Sequence, residues 1–311
     1  MKLHRFPEGL WPVMLTPFES DGSIDFASLD ELTDFYLAHG AAGLFANCLS
    51  SEMYHLTAAE RIKLVRAVLR KAGGRIPVIA TGTFGMDIPE HILTIREMHD
   101  LGVTAVVLVT SQIAVQSGHE DVLKDNIEKI LEGTGSIPLG LYECPVPYKR
   151  LLSPGLAGYL AGTGRFLYYK ETSCDIREIK EKLSKIKGSP MGLYNANTPT
   201  ALESLKEGAA GLSTISANFY PELYSLLCRL SISRGEPERI AMLQRNLSIM
   251  DAVTRIKYPL NAKLFLSWRG LKINLRTRVE VPPLHYEEIK MLESLFDHFN
   301  RLAHQFNLRN S

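Results

Sequence analysis

The chain has 311 residues, of which 45% are hydrophobic, and this length allows one large core with an extension. Its formal charge is +1, from 35 basic and 34 acidic residues without a basic block, so nucleic acid is not expected as a partner. No apolar run has the roughly 18–20 residues of a membrane helix, and residues 1–11 lack the apolar stretch of a signal peptide. Four cysteines without a CxxC pair do not form a disulfide framework, so the composition predicts a soluble protein of the reducing cytoplasm.

Short apolar runs alternate with amphipathic segments along the chain, as in a fold built from βα units. In chain order, the apolar runs predict eight strands: 13–15, 43–46, 77–80, 105–109, 137–142, 166–170, 191–194 and 211–215. Between them, capping signals predict helices that begin near residues 25, 57, 87, 120, 153, 175 and 198. Glycine follows six of these helices, as is typical of a left-handed C-cap: Gly40, Gly73, Gly102, Gly133, Gly188 and Gly208.

About eight βα units without an intervening linker predict an α/β fold of the (β/α)₈, or TIM barrel, type. The alternative is a doubly wound open sheet, but it needs a glycine-rich phosphate turn after the first strand, and residues 16–18 do not form one. Strands are scarce after residue 221, and apolar periodicity predicts helices at 239–255, 259–268 and 285–304. We therefore expect a barrel over residues 1–230 and a helical extension over 231–311 that packs on the barrel.

The predicted sixth strand, residues 166–170, ends on a lysine. Alternation along this strand places Phe166, Tyr168 and Lys170 on one face, with Leu167 and Tyr169 on the other. A buried amine is costly unless it is paired or chemically useful. One interpretation is a salt-bridged lysine at a strand end. The other is a Schiff-base nucleophile, because burial at the mouth of a barrel lowers the pKa of an amine and raises its neutral fraction.

Polar residues at two other strand ends favour the second interpretation, because the active site of a barrel lies where its strands end. The second strand is followed by Ser50 and Ser51, in a polar loop whose N–H groups can hold a carboxylate. The fifth strand ends at Tyr142, whose hydroxyl can move protons during imine chemistry, and Thr172 follows Lys170. A polar loop without a ligand and a tyrosine at the barrel rim are the alternative interpretations.

Other chemistries find less support in the sequence. The nine histidines are scattered without a metal-binding spacing, so no metal site is expected. The sequence contains neither a phosphate-binding P-loop nor a G-x-S-x-G nucleophile turn. Cys48, Cys144 and Cys174 follow predicted strands and are expected at the barrel mouth, as small filling side chains rather than catalytic thiols.

Three segments resemble the dihydrodipicolinate synthase / N-acetylneuraminate lyase family of class I aldolases: Tyr142-x-x-Pro145, residues 170–173 and residues 211–218. The resemblance begins at residues 9–18 and continues almost to the C-terminus, and it implies a TIM barrel. It further implies an imine between Lys170 and a 2-oxo acid such as pyruvate, with Tyr142 as proton shuttle. A homotetramer without metal or organic cofactor is also implied.

The loop after the second strand departs from the family pattern. Ser50 keeps the second hydroxyl of that pattern, but Leu49 replaces the first hydroxyl and Ser51 replaces a glycine. The resemblance therefore implies carboxylate binding by an altered loop.

Three further departures fall at positions that distinguish substrates within the family. Synthases carry an arginine where Pro147 stands, and a second tyrosine within the segment 110–113. Sialic acid lyases place an acidic pair where Thr198 and Pro199 stand. The sequence therefore matches neither prototype in full.

We expect a retro-aldolase or dehydratase that acts on a 2-oxo acid, such as a 2-keto-3-deoxy sugar acid, through an imine at Lys170. Ser50 and Ser51 are predicted to hold the C1 carboxylate, and Thr172 to contact the substrate. The distal end of the substrate is predicted near three residues for which ordinary loop roles are the alternative: Asn195, Asn197 and Ser213. Two other functions stay open, a dihydrodipicolinate synthase-like condensation of pyruvate with an aldehyde and a non-catalytic 2-oxo-acid-binding protein.

Overall fold

The computed structural model describes residues 5–233 and 236–308. Residues 1–4 of the predicted barrel, and residues 234–235 and 309–311 of the predicted extension, lie outside the described residues. Within these ranges, eight parallel strands form one sheet in the order β1-β8-β7-β6-β5-β4-β3-β2. The strands are β1 Gly9–Leu10, β2 Leu44–Asn47, β3 Val78–Thr81, β4 Ala105–Val109, β5 Leu139–Tyr142, β6 Phe166–Glu171, β7 Gly192–Asn195 and β8 Gly211–Leu212.

The sheet closes on itself between its first and second strands. β1 pairs with β8, and parallel bridges join Leu10 to Ala41 and Val13 to Phe45. The prediction of a first strand at 13–15 was therefore displaced, because the regular pairing begins at Gly9 and Val13 contributes only the closing bridge. The predicted (β/α)₈ barrel is confirmed.

Helices follow the strands on the outside of the barrel. Their bounds are α1 Phe26–Ala38, α2 Ala58–Ala72, α3 Ile88–Asp100, α4 Thr110–Ile113, α5 Glu120–Gly133, α6 Pro154–Gly162, α7 Ile176–Ile186, α8 Ala201–Lys206 and α9 Pro221–Ser233. Five predicted helix starts agree with the observed N-caps, since the side chains of Asp25, Thr57, Asp87, Ser153 and Asp175 each accept a backbone N–H there. The start predicted near 120 also agrees, whereas α8 begins at Ala201 rather than near 198.

Five of the six predicted C-cap glycines have positive φ angles, between +58° and +100°. Gly133 is the exception, because it is the last residue of α5 and the left-handed angle falls on Gly135, at +56°. A Cβ atom on Gly133 would lie 2.3 Å from Ile92 Cδ1. This glycine therefore serves the close packing of α5 on α3 rather than a C-cap.

Two apolar clusters build the core, one between the sheet and the helices and one inside the barrel. The interior is rich in aromatic rings, and Tyr168 stacks on Tyr194 with 4.6 Å between the ring centroids. Along β6, Leu167 packs in the interior and Phe166 packs outside, contrary to the predicted alternation. The cause is a register shift where β5 pairs with the start of β6. From Tyr168 onward the alternation holds, and Lys170 reaches the end of the strand on the interior face.

Three helices follow the barrel, namely α10 Pro237–Thr254, α11 Leu260–Trp268 and α12 Tyr286–Gln305. They are bonded to the barrel through Glu52, whose carboxylate lies 3.2 Å from Lys263 Nζ on α11. The same carboxylate accepts the backbone N–H groups of Arg278 and Val279. The helices confirm a C-terminal extension, and the boundary at residue 230 stays a prediction. Across the described ranges, none of the helices is both long enough and apolar enough to cross a membrane.

Candidate active site

A cavity of about 650 Å³ opens at the end of the barrel where the strands terminate. Ser50, Tyr142, Lys170 and Thr172 all line it. These are four of the eight residues that the sequence predicted for catalysis or substrate binding, and they come from the ends of β2, β5 and β6. The barrel therefore brings them together from distant parts of the chain.

Lys170 is almost entirely buried, with 3% of its surface exposed. Its Nζ atom lies 4.6 Å from the centroid of the Tyr142 ring, and it forms no salt bridge with any described carboxylate. Burial lowers the pKa of Lys170 to about 8, although the nearby Cys48 and Cys144 thiols act in the opposite direction. At pH 7 roughly a tenth of the amine is then neutral, against roughly four in ten thousand at the ordinary pKa. A neutral amine is what attack on a carbonyl requires.

Tyr142 stands directly across the sheet from Lys170, because these two residues pair in the β5–β6 register. Burial raises the pKa of Tyr142 well above its ordinary value, so the phenol keeps its proton. A protonated phenol can donate one hydrogen bond and accept others, which suits it to pass protons to and from a neighbouring atom.

The loop after β2 places its two serines differently. Ser50 lines the cavity and is in hydrogen-bonding contact with Tyr258. Ser51 is fully buried, and its Oγ lies 2.7 Å from Met14 O and 2.9 Å from Ala46 O. Its hydroxyl therefore holds the loop to the barrel and is not part of the cavity wall.

Thr172 is anchored to the end of β5. Its backbone N–H donates to Glu143 Oε2 at 2.9 Å, and its hydroxyl donates to Glu143 O at 2.7 Å. Behind it, Lys182 Nζ lies 3.0 Å from Glu143 and 2.9 Å from Glu171, and all three side chains are fully buried. This ion cluster ties together the two strands that carry Tyr142 and Lys170.

The other three predicted residues do not line the cavity. Ser213 accepts from Tyr168 Oη at 2.8 Å and donates to Trp11 O, deep in the barrel. Asn195 donates to Thr200 and Ser204, and Asn197 accepts from Thr200, so both asparagines brace the start of α8. These contacts correspond to the ordinary loop roles that the sequence left open, and a part in substrate binding stays a prediction.

Sequence reasoning did not select several residues that line the cavity. Four of them follow α10, in the part of the chain interpreted only as a helical extension: Arg255, Tyr258, Pro259 and Val279. Two others, Tyr54 and Gln112, are hydrogen-bonded to each other at 3.2 Å. No local pattern marks such residues, because tertiary packing alone brings them to the strand ends. Cys174 also lines the cavity, while Cys48 and Cys144 are buried near Lys170.

Within the described ranges, no group of three or more histidine, cysteine, aspartate or glutamate side chains is placed to hold a metal ion. A partly neutral amine and a protonated phenol are groups that can serve as nucleophile and proton carrier.

An eight-stranded barrel with a buried, partly neutral lysine at its mouth is the arrangement of a class I aldolase or lyase. The family model described as "Dihydrodipicolinate synthetase family" matches residues 6–298, nearly the whole chain. The chain belongs to this family, whose members are class I aldolases and lyases, and it is an enzyme of that class.

The relatives are distant. The chain is 26% identical over 268 residues to the 4-hydroxy-tetrahydrodipicolinate synthase of Shewanella piezotolerans, with 86% of this chain and 88% of that protein covered. A pyruvate complex of the chloride-inhibited dihydrodipicolinate synthase from Acinetobacter baumannii is 25% identical, with a TM-score of 0.84 and 94% and 99% of the two chains covered. A protein described as the first monomeric dihydrodipicolinate synthase variant is 22% identical, with a TM-score of 0.84 and 93% and 96% covered.

Proposed function

We propose that the chain is a Schiff-base lyase, a retro-aldolase or dehydratase that acts on a 2-oxo acid through an imine at Lys170. The observation that carries the proposal is the buried Lys170 amine, whose pKa is lowered to about 8, beside Tyr142 in one cavity. Membership of the family and the pyruvate complex of a relative support a substrate with a pyruvate moiety.

The proposed reaction begins when neutral Lys170 attacks the C2 carbonyl. The carbinolamine loses water and becomes an iminium ion, which accepts the electron pair released when the C3–C4 or the C3–H bond breaks. In a retro-aldol reaction the C3–C4 bond breaks as the C4 hydroxyl loses its proton. In a dehydration C3 loses a proton and hydroxide leaves C4. Tyr142 is the proposed carrier of the protons in both reactions.

We further propose that the loop after β2 holds the C1 carboxylate. Ser50 supplies a hydroxyl from the cavity wall, and Ser51 acts through the loop conformation that its buried hydrogen bonds maintain. Thr172 contacts the substrate from the end of β6. Arginine is replaced by Pro147 at the position used by the synthases for a second carboxylate, while nearby Lys149 donates to Thr172 O at 2.7 Å.

A 2-keto-3-deoxy sugar acid is the candidate substrate that the family resemblance suggests. Its hydroxyl groups need polar partners, and Gln112 and Lys149 are polar residues of the cavity wall. Much of the remaining wall is apolar, with Leu49, Val146 and Ile215 among its side chains. This composition favours a short or sparsely hydroxylated chain over a long polyol.

Condensation of pyruvate with an aldehyde is the second candidate, and the curated synthase relatives support it. Loss of the arginine at Pro147 and of the tyrosine in the segment 110–113 weakens it. A non-catalytic 2-oxo-acid-binding protein is the third candidate, and it predicts pyruvate binding without turnover. We also propose a cytoplasmic location. We propose a homotetramer as well, although one protein of similar structure is described as monomeric.

Borohydride trapping with pyruvate, followed by peptide mass analysis, tests the imine. We expect one reduced adduct, on Lys170, and none in Lys170→Ala. Lys149→Ala is the matched control, because Lys149 lines the same cavity and its removal should leave the adduct in place. An adduct on Lys149, or no adduct on the unchanged protein, would sink the proposal. A panel of 4-hydroxy-2-oxo acids then separates cleavage, dehydration and binding without turnover.

A further inference from the structure

Tyr258 brings a hydroxyl group from the C-terminal extension into the cavity. It lies in the turn 255–259 between α10 and α11, and it lines the cavity together with Ser50 and Lys170. Asn261 holds this turn by donating to Val253 O and Thr254 O, at 3.3 and 3.0 Å. The phenol is therefore presented by a fixed turn rather than by a free loop.

A line of hydrogen bonds orients the Tyr258 phenol. Tyr36 Oη donates to Asn218 Oδ1, and Asn218 Nδ2 donates to Val13 O at 2.9 Å and to Tyr258 Oη at 2.6 Å. Asn218 and Tyr36 are fully buried. Because Asn218 Nδ2 donates to the phenol oxygen, the phenol's own proton stays available for an acceptor. The Ser50 hydroxyl is the neighbour of this oxygen at the cavity wall.

Tyr258 lies beside the loop after β2, in which Leu49 stands where the family pattern has a hydroxyl residue. Leu49 lines the cavity with an apolar side chain and the Ser51 hydroxyl is turned away from it, so among residues 49–51 Ser50 alone brings a hydroxyl to the cavity wall. A carboxylate needs more than one donor to replace the water that it loses on binding. Ser50 and Tyr258 together present two once a bound carboxylate replaces the hydrogen bond between their hydroxyls.

We propose that Tyr258 is a substrate-binding residue that donates a hydrogen bond to the C1 carboxylate of the bound 2-oxo acid, beside Ser50. The inference rests on the proposed function, because it concerns the C1 end of a substrate whose C2 atom forms the imine with Lys170. It adds a residue of the extension to a site otherwise built from strand ends.

The test compares pyruvate with its methyl ester as probes of borohydride trapping on the full chain. In Tyr258→Phe the second-order trapping rate constant for pyruvate should fall about 10- to 100-fold, as expected for loss of a hydrogen bond to a charged group. The ester lacks the charge, so its constant should fall about tenfold less. The ratio of the two constants is measured within one variant, and a partial loss of folded protein cancels from it.

Tyr220→Phe is the matched control. Tyr220 is a fully buried tyrosine whose hydroxyl has no hydrogen-bond partner among the described residues, and it does not line the cavity. In Tyr220→Phe the ratio of the pyruvate and methyl ester trapping constants should equal that of the unchanged protein. An unchanged ratio in Tyr258→Phe, while the unchanged protein is trapped on Lys170, overturns the role of Tyr258 alone. Failure of the unchanged protein to be trapped overturns the proposed function as well.

Discussion

Burial shifts the pKa of the Lys170 amine and the pKa of the Tyr142 phenol in opposite directions. Burial penalises a charge, so it lowers the pKa of the amine to about 8 and raises that of the phenol. Near neutral pH the amine can therefore lose its proton while the phenol keeps one. One apolar environment thus prepares a nucleophile and a proton donor at facing positions of two strands.

The pH dependence of imine formation should follow the Lys170 amine. Its neutral form reacts, and its folded-state pKa is about 8 rather than 10.5. The rate of pyruvate trapping should therefore rise about tenfold per pH unit below pH 8 and level off above it. Initial trapping rates between pH 6 and pH 10 check this, and a rise that continues to pH 10 would contradict the lowered pKa.

Removing the Tyr142 hydroxyl should slow proton transfer without disturbing the fold. We expect Tyr142→Phe to reduce turnover of a cleaved 2-oxo acid about 10²- to 10⁴-fold, the usual contribution of a positioned acid or base. The pyruvate adduct on Lys170 should still form at long times. Single-turnover kinetics and a thermal melt measure the two effects, and an unchanged turnover rate would exclude Tyr142 as the proton carrier.

Strands β5 and β6 act as a pair, because the buried cluster of Glu143, Glu171 and Lys182 joins their outer faces. Each carboxylate comes from the residue next to a site residue, Glu143 after Tyr142 and Glu171 after Lys170. Burial opposes the charge on Lys182, but the two carboxylates prevail and raise its pKa. The alternation of the strands thus directs the reactive side chains inward and the ion cluster outward.

Lys182→Met should therefore destabilise the protein strongly, since it leaves two buried carboxylates without their cation. We expect a loss of about 3–5 kcal/mol in the free energy of unfolding, measured by urea denaturation. Lys180→Met is the matched control on the same helix, because Lys180 forms exposed ion pairs with Glu203 and Glu207 and should have little effect. Equal losses in the two variants would show that the cluster does not hold the strands.

At the scale of the whole molecule, the extension is bonded to the loop that carries Ser50. Glu52, which has a left-handed φ of +57°, receives Lys263 Nζ and two backbone N–H groups from the segment 278–279. Arg278 adds bonds to Gly22 O and to Glu60 on the barrel side. Loop and extension therefore fix each other's position at the cavity rim.

Glu52→Ala should weaken both stability and substrate binding. It leaves the buried Lys263 amine without its carboxylate and removes the acceptor of the backbone N–H groups of segment 278–279. The expected loss in the free energy of unfolding is about 3–5 kcal/mol, with a raised half-saturation concentration for pyruvate in the folded fraction. Glu60→Ala removes the more exposed partner of Arg278 and should cost less. If Glu60→Ala proves as harmful as Glu52→Ala, the buried carboxylate is not the main link.

The sequence predicted the barrel and the two central residues of its mouth because both follow from local patterns. Alternating apolar and amphipathic segments determine the fold, and the strand end determines the place of Lys170 and Tyr142. The direction of other polar side chains depends on packing that no short segment records. Ser51 and Ser213 turn to backbone carbonyls inside the protein, whereas Tyr258 enters the cavity from a turn far along the chain.

The contribution of Arg255, Tyr258 and Val279 to the cavity wall has a consequence for how such enzymes diversify. Lys170 and Tyr142 belong to the barrel, while part of the cavity wall belongs to the extension. Exchange of the extension between two members of the family would transplant a portion of the selectivity and leave the reactive groups untouched. The reactive groups and part of the substrate selectivity are therefore encoded in different segments of the chain.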